Sequence, residues 1–452
     1  MRLQTPTVDV RQVRRLIADG NPAAAAEMAR AMRPAELAEL LVRLGPAELA
    51  RIEPYLGTER LADAVAELDP TEAARLLVRF SHADAADILE EMEPDDAVDV
   101  VEELRDGEAE RILAEMTTED AAEIRELMAY SWDTAGGRMT PEFVAISPEI
   151  TVAAAMRLIR TQAPSAETIY YIYVTDRQDH LVGVVSLRDL VVADPQQPIA
   201  DIMRREVISL AADLDQEEAA RILTEHDLLA LPVVDGLGRL VGVITADDVA
   251  DVLEEEATED IEKLGGSQPL DEPYMTASIF HLFRKRIIWL LVLFIGALQT
   301  STVISLFSTE LDRVVELTFF IPLLIGTGGN VGSQIVTTVV RAMAVGEVGF
   351  SEVWRVLRRE ILVSLCVGGV MGVATFIRAE TMFVTIRVAL TAGLAALFIC
   401  LWSASVAAVL PMFLRRIRQD PAVMSAPFIS TLVDGTGLLI YFLIARFIIG
   451  LE

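Results

Sequence analysis

A single carboxylate, Asp434, stands inside a long apolar run, in the context Ser430-Thr431-Leu432-Val433-Asp434-Gly435-Thr436. A charge at bilayer depth costs about 2.5–3.5 kcal/mol on insertion scales, so such residues usually face a pathway rather than lipid. An earlier apolar run reads Pro322-Leu-Leu-Ile-Gly-Thr-Gly-Gly-Asn-Val-Gly-Ser-Gln334. Its glycines allow either close backbone approach or local unwinding, both tolerated at membrane depth only against protein or water. Asn330, Ser333, Gln334 and Thr337 recur at helical spacing, which places oxygens and amides along one face. One carboxylate amid hydroxyls, amides and glycine carbonyls suits a hard cation. Magnesium in particular keeps several waters and is often held by one or two carboxylates. The competing reading makes Asp434 an interhelical hydrogen-bond partner of Asn330 or Gln334. A proton relay would need a chain of acids or histidines, and none is visible here.

These residues require a membrane frame. Five apolar stretches follow one another at Ile287–Phe307, Val314–Val340, Ile361–Ile377, Val388–Leu414 and Ala422–Gly450. Each is long enough to cross about 30 Å of hydrocarbon, the third only just. Arg284, Lys285 and Arg286 precede the first, Arg355, Arg358 and Arg359 the third, and Arg415, Arg416 and Arg418 follow the fourth. The positive-inside rule therefore places the N-terminal half in the cytoplasm and the C-terminus outside, in a multi-pass protein of the plasma membrane.

The remaining chain is acidic. Residues 277–452 hold ten acids and fourteen bases, which leaves 58 acids against 24 bases before them, a net charge of −34. So large an excess repels itself unless counterions bind, and it excludes nucleic acid as a partner. The two cysteines, Cys366 and Cys400, lie in apolar runs, and the four histidines lack ligand spacing. Neither a disulfide framework nor a soft-metal centre is expected. No phosphate-cradling loop or nucleophile–base set points to an enzyme.

Pro22, Pro46, Pro70 and Pro94 recur every 24 residues with Thr118 in register. Proline suits the first helical turn, so the unit is a short helical hairpin stacked as a solenoid, with Thr58 and Asp106 as expected caps of second helices. A second duplication follows. Val174-Thr-Asp176 … His180-Leu-Val-Gly183-Val-Val-Ser186-Leu-Arg-Asp189 returns 59 residues on as Val233-Val-Asp235 … Arg239-Leu-Val-Gly242-Val-Ile-Thr245-Ala-Asp-Asp248. Each copy reads strand, turn, strand, then a Ser/Thr-initiated helix. The pair resembles tandem CBS domains, regulatory α/β modules that bind adenine nucleotides or ions. That likeness points to Asp189 and Asp248 as ribose contacts, with ATP as the ligand. The alternative is that both are first-turn acids stabilised by the helix dipole.

From Asp247 to Glu262 a helical stretch carries acids at i,i+3 and i,i+4 with no basic residue before Lys263. Each like-charged pair costs a few tenths of a kcal/mol, roughly. A second acidic cluster, Glu90 to Glu103, lies on the helical repeats. The two pack closely only with cations between them, and carboxylate oxygens suit magnesium or calcium rather than zinc.

Helical repeats, paired CBS motifs, an acidic connecting helix and five spans bearing Gly-Gly-Asn-x-Gly-x-Gln and a lone Asp together resemble the MgtE family of magnesium channels. Pro322–Gln334 and Asp420-Pro421 … Asp434 … Gly437-Leu-Leu-Ile-Tyr441 carry the likeness. It implies a homodimer in membrane lipid with a pore on its two-fold axis. Asp434 would hold hydrated magnesium with Asn330 nearby. Asp95, Asp248, Asp251, Glu255, Glu256, Glu259 and Asp260 would form the cytoplasmic sensor, closing the pore when magnesium is high. The expected division is a helical-repeat domain over 1–136, CBS domains over 137–200 and 201–250, the acidic helix over 251–276 and a pore domain over 277–452. The alternative function is a CBS-regulated, proton-coupled secondary transporter.

Overall fold

The computed structural model describes residues 10–163, 166–270, 274–275, 277–417, 419–420 and 424–450, without the side chains of Val10 and Asp106. Arg418, Pro421 and Ala422, named above, lie outside the described residues. The chain forms two compact units, divided after Glu256.

In the N-terminal unit the 24-residue repeat resolves into steps of twelve. Helices α1 (Val10–Ala18), α2 (Pro22–Arg30), α3 (Pro34–Arg43), α4 (Pro46–Ile52) and α5 (Thr58–Ala66) begin at that interval. So do α6 (Pro70–Leu77), α7 (His82–Glu90), α8 (Pro94–Glu102), α9 (Asp106–Glu115) and α10 (Thr118–Leu127). Each step is a short helix closed by a tight turn. Proline opens α2, α4, α6 and α8, where its missing N–H is not needed. Helices α3, α5, α7 and α9 stack in one row, and α6, α8 and α10 in another. The apolar positions fall on one face, as Ala73, Ala74, Leu76 and Leu77 do on α6. Thr58 and Asp106 are the first helical residues and not caps; Gly57 and Arg105 occupy the cap positions. Gly57 does so at φ +86°, a conformation open to glycine but strained for threonine.

The duplicated modules are two three-stranded sheets of the same design. Strands β1 (Ala145–Ile146), β2 (Tyr171–Thr175) and β3 (Leu181–Ser186) pair parallel, then antiparallel. Strands β4 (Leu210–Ala211), β5 (Ala230–Val234) and β6 (Leu240–Thr245) repeat that order. Even the bulge recurs, at Val174/Thr175 and Val233/Val234. Helices α11 (Val152–Gln162), α12 (Leu187–Val192) and α13 (Gln216–Glu225) flank the sheets. Residues 134–136 cross to the second module, where the Ala135 and Gly136 amides donate to Leu214 and Ala212 carbonyls.

The acidic helix α14 runs Ala246–Leu264, so it starts within the stretch expected for the second CBS domain. At its start the Asp248 carboxylate accepts from the Thr245 N–H and hydroxyl, and Gly266 at φ +77° turns the chain away after its end. The C-terminal unit contains five helices long and apolar enough to cross a membrane. They are α15 (Ile279–Leu306), α17 (Ile321–Ala344), α18 (Val353–Thr381), α19 (Ile386–Arg416) and α20 (Ala426–Ala445, continuing to Gly450), with short α16 (Ser308–Arg313) between the first two. Helix α18, expected only just to span, is 29 residues long. The buried core lies among α17, α19 and α20, whereas α15 has no buried residue.

Candidate ion pathway and sensor sites

The glycines of α17 serve close packing. The helix is unbroken, and a Cβ on Gly329 would lie 2.2 Å from Ser430 Oγ, on Gly332 2.7 Å from Ile429. Ser403 Oγ on α19 also docks on α17, donating to the Gly328 carbonyl at 2.7 Å. The glycine contacts press α17 against the stretch of α20 leading to Asp434. Asn330, Gln334 and Thr337 lie exposed on the other side of α17, and Ser333 donates to the Ala426 carbonyl at 3.3 Å.

Asp434 is half-buried, and its Oδ1 is enclosed without a hydrogen-bond partner. A buried carboxylate oxygen left unpaired is costly unless something else solvates it. Among the described residues neither Asn330 nor Gln334 bonds to it, so the interhelical pair of the competing reading is absent. Two neighbours that sequence reading did not single out fix its flanks. Gln299 Nε2 donates to the Thr431 carbonyl at 3.0 Å, and its side chain packs where a Cβ on Gly435 would sit, 2.7 Å from Gln299 Cγ. Trp402 Nε1 donates to Thr436 Oγ1 at 2.8 Å. Both are polar-tipped residues in apolar spans, which is the signal that was available.

In the N-terminal unit the two acidic stretches do meet. Burial, then the charges of Asp248 and Asp96, push the Asp95 carboxyl well above the usual range, and its Oδ1 is enclosed and unpartnered. Burial and the Glu93 and Asp99 charges raise Asp96 to about 7. Asp99 rises to about 6 through burial, with Arg138 opposing. Glu167, which the sequence reading missed, is held up to about 8 by burial and by Glu93 and Asp248. Asp248 spends one oxygen on Thr245, accepting from its N–H at 3.0 Å and its hydroxyl at 2.7 Å. Its place as a first-turn acid is thus real, and it faces Asp95 as well. Asp189 occupies the matching turn, where Ser186 Oγ caps its N–H at 3.1 Å.

The carboxylates of α14 do not act as one row. Asp251 is exposed, and burial and Glu254 raise its pKa. Glu255 meets Arg138 at 2.5 Å, and Glu256 accepts from Gln216 at 2.6 Å. Glu259 and Asp260 belong to the C-terminal unit. There Lys263 pairs with Glu259 and, at 2.6 Å, with Asp420. Burial and the nearby Asp420 raise Asp260. Among the described residues no three Asp, Glu, His or Cys side chains converge on one ion position.

A helical-repeat assembly, paired regulatory modules and a five-span unit with a lone intramembrane carboxylate define a membrane transporter for cations. Family profiles agree: residues 321–444 match the divalent cation transporter family, 32–133 the MgtE intracellular N domain, and 135–195 and 199–255 the CBS domain. The chain is 43% identical to the magnesium transporter MgtE of Thermus thermophilus over 72% of each chain. Its likeness to the Enterococcus faecalis magnesium transporter MgtE is 38%, over 71% of this chain and 70% of that one. For the Bacillus subtilis protein it is 35%, over 71% of each. The chain belongs to the MgtE family of magnesium transporters. Its fold also matches the crystal structure of the soluble part of a magnesium transporter (TM-score 0.51, 37% identity, 55% of this chain and 98% of that one). The cytosolic domain of the magnesium channel MgtE in complex with ATP matches similarly (TM-score 0.52, 38% identity, 54% and 100%).

Proposed function

We propose that this protein is a magnesium-selective channel that admits the ion through the membrane unit and is closed by magnesium on its cytoplasmic side. The observation that carries the reading is the unpartnered Asp434 oxygen beside the glycine-packed α17–α20 contact. A hydrated magnesium ion satisfies such an oxygen without stripping its own shell. Asn330 lies on the exposed side of the neighbouring helix and serves the same pathway from the face turned away from the core. In a homodimer, two copies of Asp434 line one axis.

On the cytoplasmic side, Asp95, Asp248, Asp251, Glu255, Glu256, Glu259 and Asp260 form the sensor. Magnesium neutralises these carboxylates and holds the helical repeats, CBS pair and α14 together; its loss lets them repel and the pore open. ATP is assigned to the CBS pair with Asp189 at its ribose, by analogy with the ATP-bound relative. The protein sits in the plasma membrane with residues 1–276 cytoplasmic and the C-terminus outside. The test is ion flux into liposomes. Asp434→Asn is expected to abolish magnesium uptake while the protein still assembles, and unchanged uptake would overturn the pathway. Uptake that requires a proton gradient would favour a coupled transporter instead.

A further inference from the structure

Close docking of two acidic elements was expected to require bound ions, yet the space between them already holds an arginine. Arg138 lies on the short segment between α10 and β1, and its side chain is only 14% exposed. Its guanidinium reaches three elements at once. Nη1 meets Asp99 on α8 at 3.2 Å, Nη2 meets Glu255 on α14 at 2.5 Å, and Nε donates to Gln216 Oε1 on α13 at 2.9 Å. Gln216 is itself buried and passes the connection on to Glu256 at 2.6 Å.

The segment is held for this purpose. The Gln216 N–H donates to the Asp133 carbonyl at 2.9 Å, and the Arg138 N–H to Thr134 at 3.2 Å. A Cβ on Gly137 would lie 2.3 Å from the Ser131 carbonyl, so only glycine lets the turn close here. Trp132 shields one side, its ring centre 5.9 Å from the guanidinium carbon. A planar group with five donors that never deprotonates suits a junction of two carboxylates and an amide.

We propose that Arg138 is a built-in counterion: it occupies the place between Asp99 and Glu255 that a divalent ion would otherwise fill, and so sets how much magnesium the cytoplasmic assembly needs to dock. This rests on the magnesium-sensing reading above, which supplies the docking equilibrium that the arginine biases. With the guanidinium removed, two partly buried carboxylates face each other uncompensated, and docking must recruit another cation. The consequence is a weaker and steeper magnesium dependence, because one more ion is taken up per chain.

The experiment follows protease protection of the cytoplasmic half against magnesium concentration, using the full-length protein in nanodiscs. Arg138→Gln is expected to raise the midpoint by at least about threefold and to steepen the curve. Arg138→Lys, which keeps the charge but loses the fork, falls between it and the native protein. Combining Arg138→Gln with Asp99→Asn removes one charge of each sign, keeps the local charge as it is in the native protein, and is expected to bring the midpoint back toward the native value. An unchanged midpoint in Arg138→Gln overturns the proposal, as does a shift that neither lysine nor the balanced double variant reverses, since that would mark a packing role alone. If the native protein shows no magnesium-dependent protection, it is the sensing reading that fails, not the assignment of Arg138.

Discussion

At the scale of single residues, position within the packing decides what each polar group does. Asp434 and Asn330 share a span-level address, yet one is half-enclosed and the other faces outward. Gly435 is immovable because Gln299 fills the space beside it. Gly435→Ala is expected to cost about 1–3 kcal/mol through overpacking and to lower magnesium flux, read by thermal melting in detergent and liposome uptake. Gln299→Leu keeps the volume but drops the bond to Thr431, and should reduce flux with a smaller loss of stability. On the cytoplasmic side, Asp96 and Asp99 have folded pKa values of about 7 and 6, above the ordinary value of 3.8. The sign follows from proton uptake: the folded state binds more protons than the unfolded one between these values and about 4. Their contribution is therefore full at low pH and is lost as pH rises through 6 and 7. In magnesium-free buffer the docked assembly should resist protease better near pH 5 than near pH 8, to an extent that Asp96→Asn and Asp99→Asn together reduce.

At the scale of elements, α14 joins different environments along one helix. At its start Asp248 accepts from Thr245, its middle meets Arg138 and Gln216, and its end pairs through Lys263 with Asp420. Thr245→Val removes the hydroxyl that donates to Asp248 and should destabilise the N-terminal unit by about 1 kcal/mol, measured by denaturant unfolding. In the repeats the turns matter as much as the helices. Ser81 Oγ caps α7 by accepting from the Asp84 N–H at 3.1 Å, and Ser81→Ala should cost a similar amount, about 1 kcal/mol. Because stacked repeats depend on their neighbours, such losses are expected to lower the melting temperature of the whole array rather than fray one helix.

At the scale of the whole molecule, the charge imbalance makes docking a matter of counterions. Monovalent salt shortens the screening length to about 3 Å at 1 M, and should partly substitute for magnesium in compacting the cytoplasmic half, as small-angle scattering would show. The amino-acid sequence alone determined the architecture: five apolar runs, a 24-residue repeat, a 59-residue duplication and a lone intramembrane acid are all local or periodic signals. It also marked Asp434 and the two acidic stretches, because charge type and spacing are written along the chain. Tertiary structure decided which carboxylates meet. Glu167 joins Glu93 and Asp248 from a loop far away in sequence, and Glu259 pairs with Lys263. It decided as well that the acidic elements close around Arg138, whose role no periodicity could reveal. A lone arginine among polar residues acquires its meaning only from the three elements that converge on it, and that convergence is set by long-range packing.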